Sequence, residues 1–359
     1  MLPLKSKILL FPYWLALKAR HFLYDKGIKK SFSFPVPVIC IGNITVGGTG
    51  KTPHTEMIIR MLQGKYRIAV LSRGYRRKSK GFRIAAPGDT YAEIGDEPLQ
   101  IKHKFPHITV AVCEDRCKGI ENLLALPEPA AGENGPFRPE LIILDDAFQH
   151  RRVKPSHSIV LINWHRPIFN DNLLPIGRLR DLPEQIRRAD TVIVTKSPVF
   201  GEHDGFVDQE LAAQQVAPIE KEWREKLQLH SSQKLLFSSI FYGEPLPVSP
   251  DGDLRYLHSS SAIFFTGIAS DKEFRNHILG KHKVLDSIKF PDHCSFSKRE
   301  IKEINSWAAQ YPTSAVFTTE KDSKRLISNP HLSEDLKKRL FFIPIEVQVI
   351  PHCSNLLEL

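Results

Sequence analysis

The sequence predicts an α/β protein with a parallel sheet domain, a second, smaller α/β domain and an amphipathic helix at its start. Three observations carry this reading. Short apolar, β-branched runs alternate with helix-patterned stretches. One such run leads through a glycine-rich loop into a helix. The series of strands then begins again after a long polar interval. A chain of 359 residues exceeds most single cores and suits two modest domains.

The first element is the apolar run 8–17, ILLFPYWLAL, behind Lys5 and Lys7. It has about half of the roughly 20 residues a spanning helix needs. No small-x-small cleavage site follows it. Pro12 suits the first turn of a helix over 13–24. Trp14, Leu15, Leu17, Phe22, Leu23 and Tyr24 interleave with Lys18, Arg20, Lys26, Lys29 and Lys30. That pattern fits a helix lying in a lipid headgroup layer. It fits equally a helix packed on its own domain.

Runs 36–41, 67–71, 108–112, 141–144, 158–162 and 191–194 read as strands. Their continuous apolar character, without alternation, predicts a parallel sheet covered on both faces. The Pro/Gly-rich stretch 127–139 is a surface excursion. From 200 to 233 the chain turns polar and helical, and the domain joint falls there. The expected division is 1–30 as the helical segment, 31–215 as the sheet domain and 216–359 as the smaller domain with its linker. In the last, 235–241, 262–265, 315–318 and 340–345 read as strands, with helices over 271–279 and 297–311. The second of these opens on Ser297 with Glu300 three residues on, a capping box.

Apolar residues at 42% and charged residues at 25% are ordinary for a globular protein. The net charge of +10 calls for an anionic partner: nucleic acid, a phosphorylated substrate or a membrane surface. No aromatic-interleaved basic patch or reader motif supports nucleic acid. Five cysteines without paired metal spacing read as reduced thiols in a reducing compartment.

The strongest local signal is VICIGNITVGGTGKT at 38–52. Gly47, Gly48 and Gly50 let backbone N–H groups curl around phosphate oxygens. The helix beginning near Lys51 adds its positive end. Lys51 is placed to reach β- and γ-phosphates, and the Thr52 hydroxyl to ligate Mg²⁺. The stretch Thr45, Val46, Gly47, Gly48, Thr49, Gly50, Lys51 and Thr52 is therefore the expected ATP-binding loop of a P-loop NTPase-type sheet. It is a variant, because Thr45 stands where the first glycine of the motif falls. Downstream, LIILDD at 141–146 is an apolar strand ending in two carboxylates. Asp145 and Asp146 are thus candidate metal ligands beside the loop. Thr195 and Lys196 suggest a guanine-reading loop, but Pro198 occupies the position of its essential Asp, which disfavours GTP.

Seven motifs then follow in order: IGNITVGGTGKTP (41–53), LSRGY (71–75), GDEP (95–98), DDAFQHR (145–151), LLPIGRLR (173–180), FPDH (290–293) and TEKD (319–322). Together with YDKG at 24–27 they resemble the tetraacyldisaccharide 4'-kinases, the lipid A 4'-kinases of Gram-negative bacteria, over nearly the whole chain. The resemblance implies ATP-dependent transfer of the γ-phosphate to the 4'-hydroxyl of an acylated glucosamine disaccharide 1-phosphate lipid. It implies Mg²⁺ as cofactor and a peripheral, monotopic monomer on the cytoplasmic face of the bacterial inner membrane. It also implies that Asp96 accepts the sugar hydroxyl proton, with His293 as its partner from the second domain. Arg180 becomes a phosphate-stabilising contact, and Asp145 and Asp146 the Mg²⁺-associated pair. Taken alone, Asp96 fits a surface turn and His293 a solvated loop. Arg73 and Arg116 are further candidates for phosphate contacts.

The basic run Arg73, Arg76, Arg77, Lys78 and Lys80 then reads as a loop beside the substrate's 1-phosphate or an anionic leaflet. Two departures stand out: Ala147 where the family often has Gly, and Asp181 where Glu is expected. The alternatives are a soluble P-loop kinase for a small metabolite and a regulatory NTPase. A metabolite kinase has no use for the interfacial segment, and a switch ATPase needs no hydroxyl acceptor.

Overall fold

A computed structural model describes residues 4–75, 77–128, 135–203, 206–268, 270–292, 294–327, 329–352 and 357. The chain folds as two compact units, Met1–Ile240 with Val347–Leu359, and Phe241–Glu346.

The larger unit opens with α1, Leu4–Asp25, which carries Pro12 inside rather than at its first turn. Leu17 and His21 are buried, while Phe11, Trp14, Leu15 and Phe22 are exposed. Then come β1 (Val38–Gly42), α2 (Lys51–Leu62), β2 (Ile68–Ser72), β3 (Arg83–Ile84), α3 (Tyr91–Ile94), α4 (Asp96–Lys104), β4 (Thr109–Val112), α5 (Arg116–Leu124), β5 (Leu141–Asp145), β6 (His157–Asn163) and β7 (Thr191–Thr195). Among the described residues the sheet runs Ile345–Val349, Lys234–Tyr242, β7, β6, β1, β5, β2, β4, β3. From strand Lys234–Tyr242 across to β4 every neighbouring pair is parallel, and β3 joins antiparallel at that edge.

The continuous apolar runs are explained by burial on both faces. Ile39, Ile41, Val70, Val110, Ile143, Ile159 and Ile193 are each under 2% exposed, packed with Ile58 and Ile59 of α2. β1 is central, and its right-hand neighbour in the sheet is β5 rather than the next strand in sequence. This order change opens a crevice at the carboxyl ends of the strands, the usual ligand position in open α/β sheets.

The smaller unit is a sheet in the order Leu246–Pro247, Leu340–Ile343, Ala315–Thr319, Ser261–Thr266, Lys283–Lys289. Its core packs Phe265, Phe290 and Phe296 against Ile301, Ile304 and Trp307. The helix Lys298–Ala308 starts on the capping box read in the sequence, with Ser297 and Glu300 both bonded.

The joint expected between 215 and 216 falls inside the helix Gln209–Leu227 instead. That polar helix is a crossover, not a linker: it returns the chain to strand Lys234–Tyr242, parallel to β7 in the larger sheet. The run 235–241 therefore belongs mostly to the first unit. So does the strand Ile345–Val349, whose Val347 is buried in the larger core.

Candidate active site

The carboxyl ends of β1, β5 and β2 assemble the site. At the end of β1, a Cβ on Gly42 would lie 2.7 Å from the Cβ of Phe148. The turn after β5 therefore sits directly on the strand that feeds the glycine loop. In that loop Gly47, Gly48 and Gly50 have φ of 77°, 62° and 78°. Nothing crowds a Cβ at Gly47 or Gly48, so left-handed backbone is what requires glycine there. Thr45 needs none, because it pairs as an antiparallel bridge with Leu179. The Val46 amide donates to the Arg178 carbonyl (2.8 Å) and the Arg180 amide to that of Ile44 (2.9 Å). The Asn43 side-chain amide donates to the Thr49 hydroxyl at 2.6 Å.

Lys51 and Thr52 open α2, and the Lys51 Nζ stands 3.8 Å from an Asp146 oxygen. Asp145 ends β5 in register with Ile41 of β1 and is fully buried. Among the described residues its carboxylate accepts hydrogen bonds only from the hydroxyls of Thr55 and Ser72, each at a long 3.5 Å. Burial, with Glu97 and Asp146 adding negative charge, pushes its carboxyl up to about 7 despite Lys51 and Arg116. Asp146 follows in left-handed backbone, φ 50°. Arg180 grips it with both terminal nitrogens, one of them at 3.1 Å, and also reaches the Asn43 Oδ1 at 2.5 Å. Burial opposes ionisation of Asp146, but the Arg180 hydrogen bonds and Lys51 prevail and hold it below the usual carboxylate range. Two adjacent carboxyls are thus driven in opposite directions.

Asp96 starts α4 and is half-buried. Gly95 before it has φ 92°, and a Cβ there would meet the Tyr75 carbonyl at 3.1 Å and Gly74 at 3.3 Å. The GDEP and LSRGY turns therefore rest on each other. α4 is tied to the helix that follows the glycine loop: Gln100 donates to Glu56 of α2 at 2.8 Å, and Lys104 pairs with it at 2.7 Å. His293 lies outside the described residues.

Several expectations change here. Arg116 is buried; it donates to the carbonyls of Cys113 (2.8 Å) and Asp145 (3.2 Å) and so braces the β5 end from inside. Arg77 does not project as a free cation of the basic run. Its guanidinium holds Glu114 and the Gly81 carbonyl, both at 2.6 Å, closing its own loop. Arg76 lies outside the described residues. Asp181 is fully buried and bonded at 2.6 Å to His21 of α1, which gives that carboxylate to the helix. In the smaller unit, the TEKD acid Asp322 accepts from the Gly267 amide and the Thr319 hydroxyl, a buried staple of its own turn.

The matching family model spans residues 6–358 and describes the tetraacyldisaccharide-1-P 4'-kinases. The chain belongs to that family. A tetraacyldisaccharide 4'-kinase from Bacteroides thetaiotaomicron is 42% identical over 94% of this chain and 87% of its own length. One from Cytophaga hutchinsonii is 36% identical over 98% and 94%. The crystal structure of LpxK from Aquifex aeolicus, in complex with ATP, superposes with a TM-score of 0.69 at 30% identity, covering 97% of this chain and 95% of that one. The site described above thus sits on the fold of a 4'-kinase.

Sequence reading passed over His54 in this kinase. It is buried in α2, its Nδ1–H donating to the Gly50 carbonyl (2.7 Å) and its Nε2 facing the Ser238 hydroxyl (2.8 Å). Its place one turn past the loop, His-x-x-x after Gly50, is too common a spacing to signal this role. Burial outweighs the Gly50 bond and lowers it from 6.5 to about 4. The folded chain therefore keeps His54 neutral where the unfolded chain protonates it. Its contribution to stability is complete above about pH 6.5 and is lost as pH falls toward 4, by up to roughly 3 kcal/mol. His150, lowered to about 4 by burial and Arg116, acts with the same sign. Urea midpoints at pH 7 and pH 5 should differ clearly, and His54→Gln should shrink that difference. An undiminished difference in the variant rules His54 out as its source.

Proposed function

We propose that the loop 45–52 cradles the ATP phosphates and that the surrounding acids and cations carry out the family's phosphoryl transfer. The chain is an ATP-dependent 4'-kinase of tetraacyldisaccharide 1-phosphate, a step of lipid A biosynthesis. The observation that carries the site reading is the gathering of Lys51, Asp145, Asp146 and Arg180 around a glycine loop that opens a helix.

Lys51 contributes a fixed positive charge where charge builds on the transferring phosphoryl group. Among the described residues no three His, Cys, Asp or Glu side chains form a metal cluster. That suits Mg²⁺, which takes one or two carboxylates with phosphate oxygens and water. Asp145, buried and short of partners, together with Asp146 and Thr52, would hold it. When bound there, Mg²⁺ would offset the negative charge of the ATP phosphates. Asp96 aligns the 4'-hydroxyl and takes its proton as the new O–P bond forms and ADP departs. Arg180 steers Asp146 and meets phosphate charge. His293 is assigned a part by its motif alone.

The acceptor's acyl chains keep it in a bilayer, so the protein works as a peripheral monomer at the cytoplasmic face of the inner membrane. No described helix is long and apolar enough to cross a membrane. α1 instead offers exposed Phe11 and Trp14, stacked at 5.9 Å, with Leu15 and Phe22, and Lys18 lies over the Trp14 ring. Such a face suits the interfacial layer.

The test is transfer from labelled ATP, with Mg²⁺, to tetraacyldisaccharide 1-phosphate in anionic vesicles, read by product mass. The wild type should add one phosphate. Trp14→Asp with Leu15→Asp should lose vesicle binding and most lipid phosphorylation while ATP affinity stays within about twofold, since the changes lie on the exposed face. Full binding and rate in that variant would make α1 structural only and shift the membrane surface elsewhere.

A further inference from the structure

We propose that α1 also positions the catalytic machinery: Tyr13, Arg20 and His21 set the Arg180–Asp146 pair and the backbone of Asn43. The inference rests on the site reading above. α1 grips both segments that flank the site. On one side, the Tyr13 hydroxyl donates to the Arg180 carbonyl at 2.9 Å. His21 Nε2 bonds the neighbouring Asp181 at 2.6 Å. On the other, Arg20 donates to the Gln149 carbonyl, and the Gln149 side chain donates to the Asn43 carbonyl at 2.8 Å. Arg180 closes the circuit by donating to the Asn43 carbonyl (3.2 Å) and side chain.

The tautomer of His21 follows from its partners. Arg151 donates to Nδ1 at 3.0 Å and to the His21 carbonyl at 3.3 Å, and Asp25 at the end of α1 holds the same guanidinium at 2.7 Å. Nδ1 is thus an acceptor, so Nε2 carries the hydrogen and donates to Asp181. Asp181 completes its own turn by accepting from the Leu182 amide at 2.9 Å. Its other oxygen has no hydrogen-bond partner among the described residues, and Arg188 stands 3.9 Å away. Removing His21 therefore leaves a buried carboxylate one residue from Arg180 with little to fix it.

A loosened Arg180 misaligns the transferring group while the other contacts to ATP and lipid stay in place. Misplacement of about 1 Å costs up to roughly a hundredfold in rate. The expected signature is a fall in kcat with unchanged capture. His21→Ala should lower kcat by about tenfold or more, with KM for ATP, KM for the lipid and vesicle binding each within about twofold. His21→Gln, whose amide can donate from near the Nε2 position, should restore most of the rate. Tyr13→Phe, which removes one hydroxyl and tests the same strand should His21→Ala fail to fold, should lower kcat severalfold. The double variant His21→Ala with Arg180→Ala should be no slower than Arg180→Ala alone. Unchanged kcat in both Tyr13→Phe and His21→Ala, or multiplying losses in the double variant, overturns the inference. Arg180→Ala at the wild-type rate would overturn the site reading and this inference with it, whereas a slow Arg180→Ala beside fast Tyr13→Phe and His21→Ala overturns this inference alone.

Discussion

Lys51→Ala should slow phosphoryl transfer by roughly a thousandfold, the loss expected when one fixed charge aimed at the transition state is removed. Lys51 sits at the first position of α2, and its Nζ is close to Asp146. The change leaves the glycine loop and its bridge to residues 178–180 intact, so the protein should remain folded. Its removal also strips one of the two charges that favour ionised Asp145. Rapid-quench measurement of single turnovers separates the chemical step from release. A variant within about fivefold of wild type in that step would take Lys51 out of the mechanism.

Asp96→Asn should lower kcat by about 10²–10⁴, the usual share of a positioned base. ATP affinity should stay within about twofold, because the proposed role is toward the acceptor. Loss of a first-turn charge from α4 costs only about 0.3–1 kcal/mol, and the ties from α4 to Glu56 remain, so misfolding is not the expected cause. Titration calorimetry with ATP beside steady-state rates with the lipid distinguishes the cases: weakened ATP binding as the main effect would make Asp96 a nucleotide ligand. His293→Ala should cost less, and the combined losses should fall short of additive if the two residues act as a unit.

The strands of the larger sheet were legible because burial on both faces leaves a short, unbroken, β-branched apolar run, as in VICIG or LIILD, bounded by turn or loop residues. The glycine loop was legible for a similar reason: left-handed backbone at three positions leaves a compositional trace. The domain division was not. The run 235–241 looks the same in either sheet, and only the parallel pairing with β7 assigns it. Nor does sequence report which cations are spent inside the protein. Arg77 and Arg116 read as free charges because their partners, Glu114 and two strand-end carbonyls, are distant in the chain or belong to the backbone. Asp181 was legible as an oddity, a shorter acid than expected, but its partner lies 160 residues earlier. Asn43 and Gln149 lie within the IGNITVGGTGKTP and DDAFQHR motifs, but their roles leave no mark in the sequence, since a side chain that bonds a carbonyl or a hydroxyl has no spacing signature.

The last strand of the larger sheet, Ile345–Val349, pairs with Lys234–Tyr242, and the Ile350 amide donates to the Phe237 carbonyl. Ribosomal synthesis proceeds from the N-terminus, so that pairing waits until Ile345–Val349 has been made. All of Phe241–Glu346 has been made by then. The larger unit is begun before the smaller one and completed after it, and the smaller unit is an insert in its sequence. Until then, the strand Lys234–Tyr242 has an open edge, of the kind that recruits foreign strands.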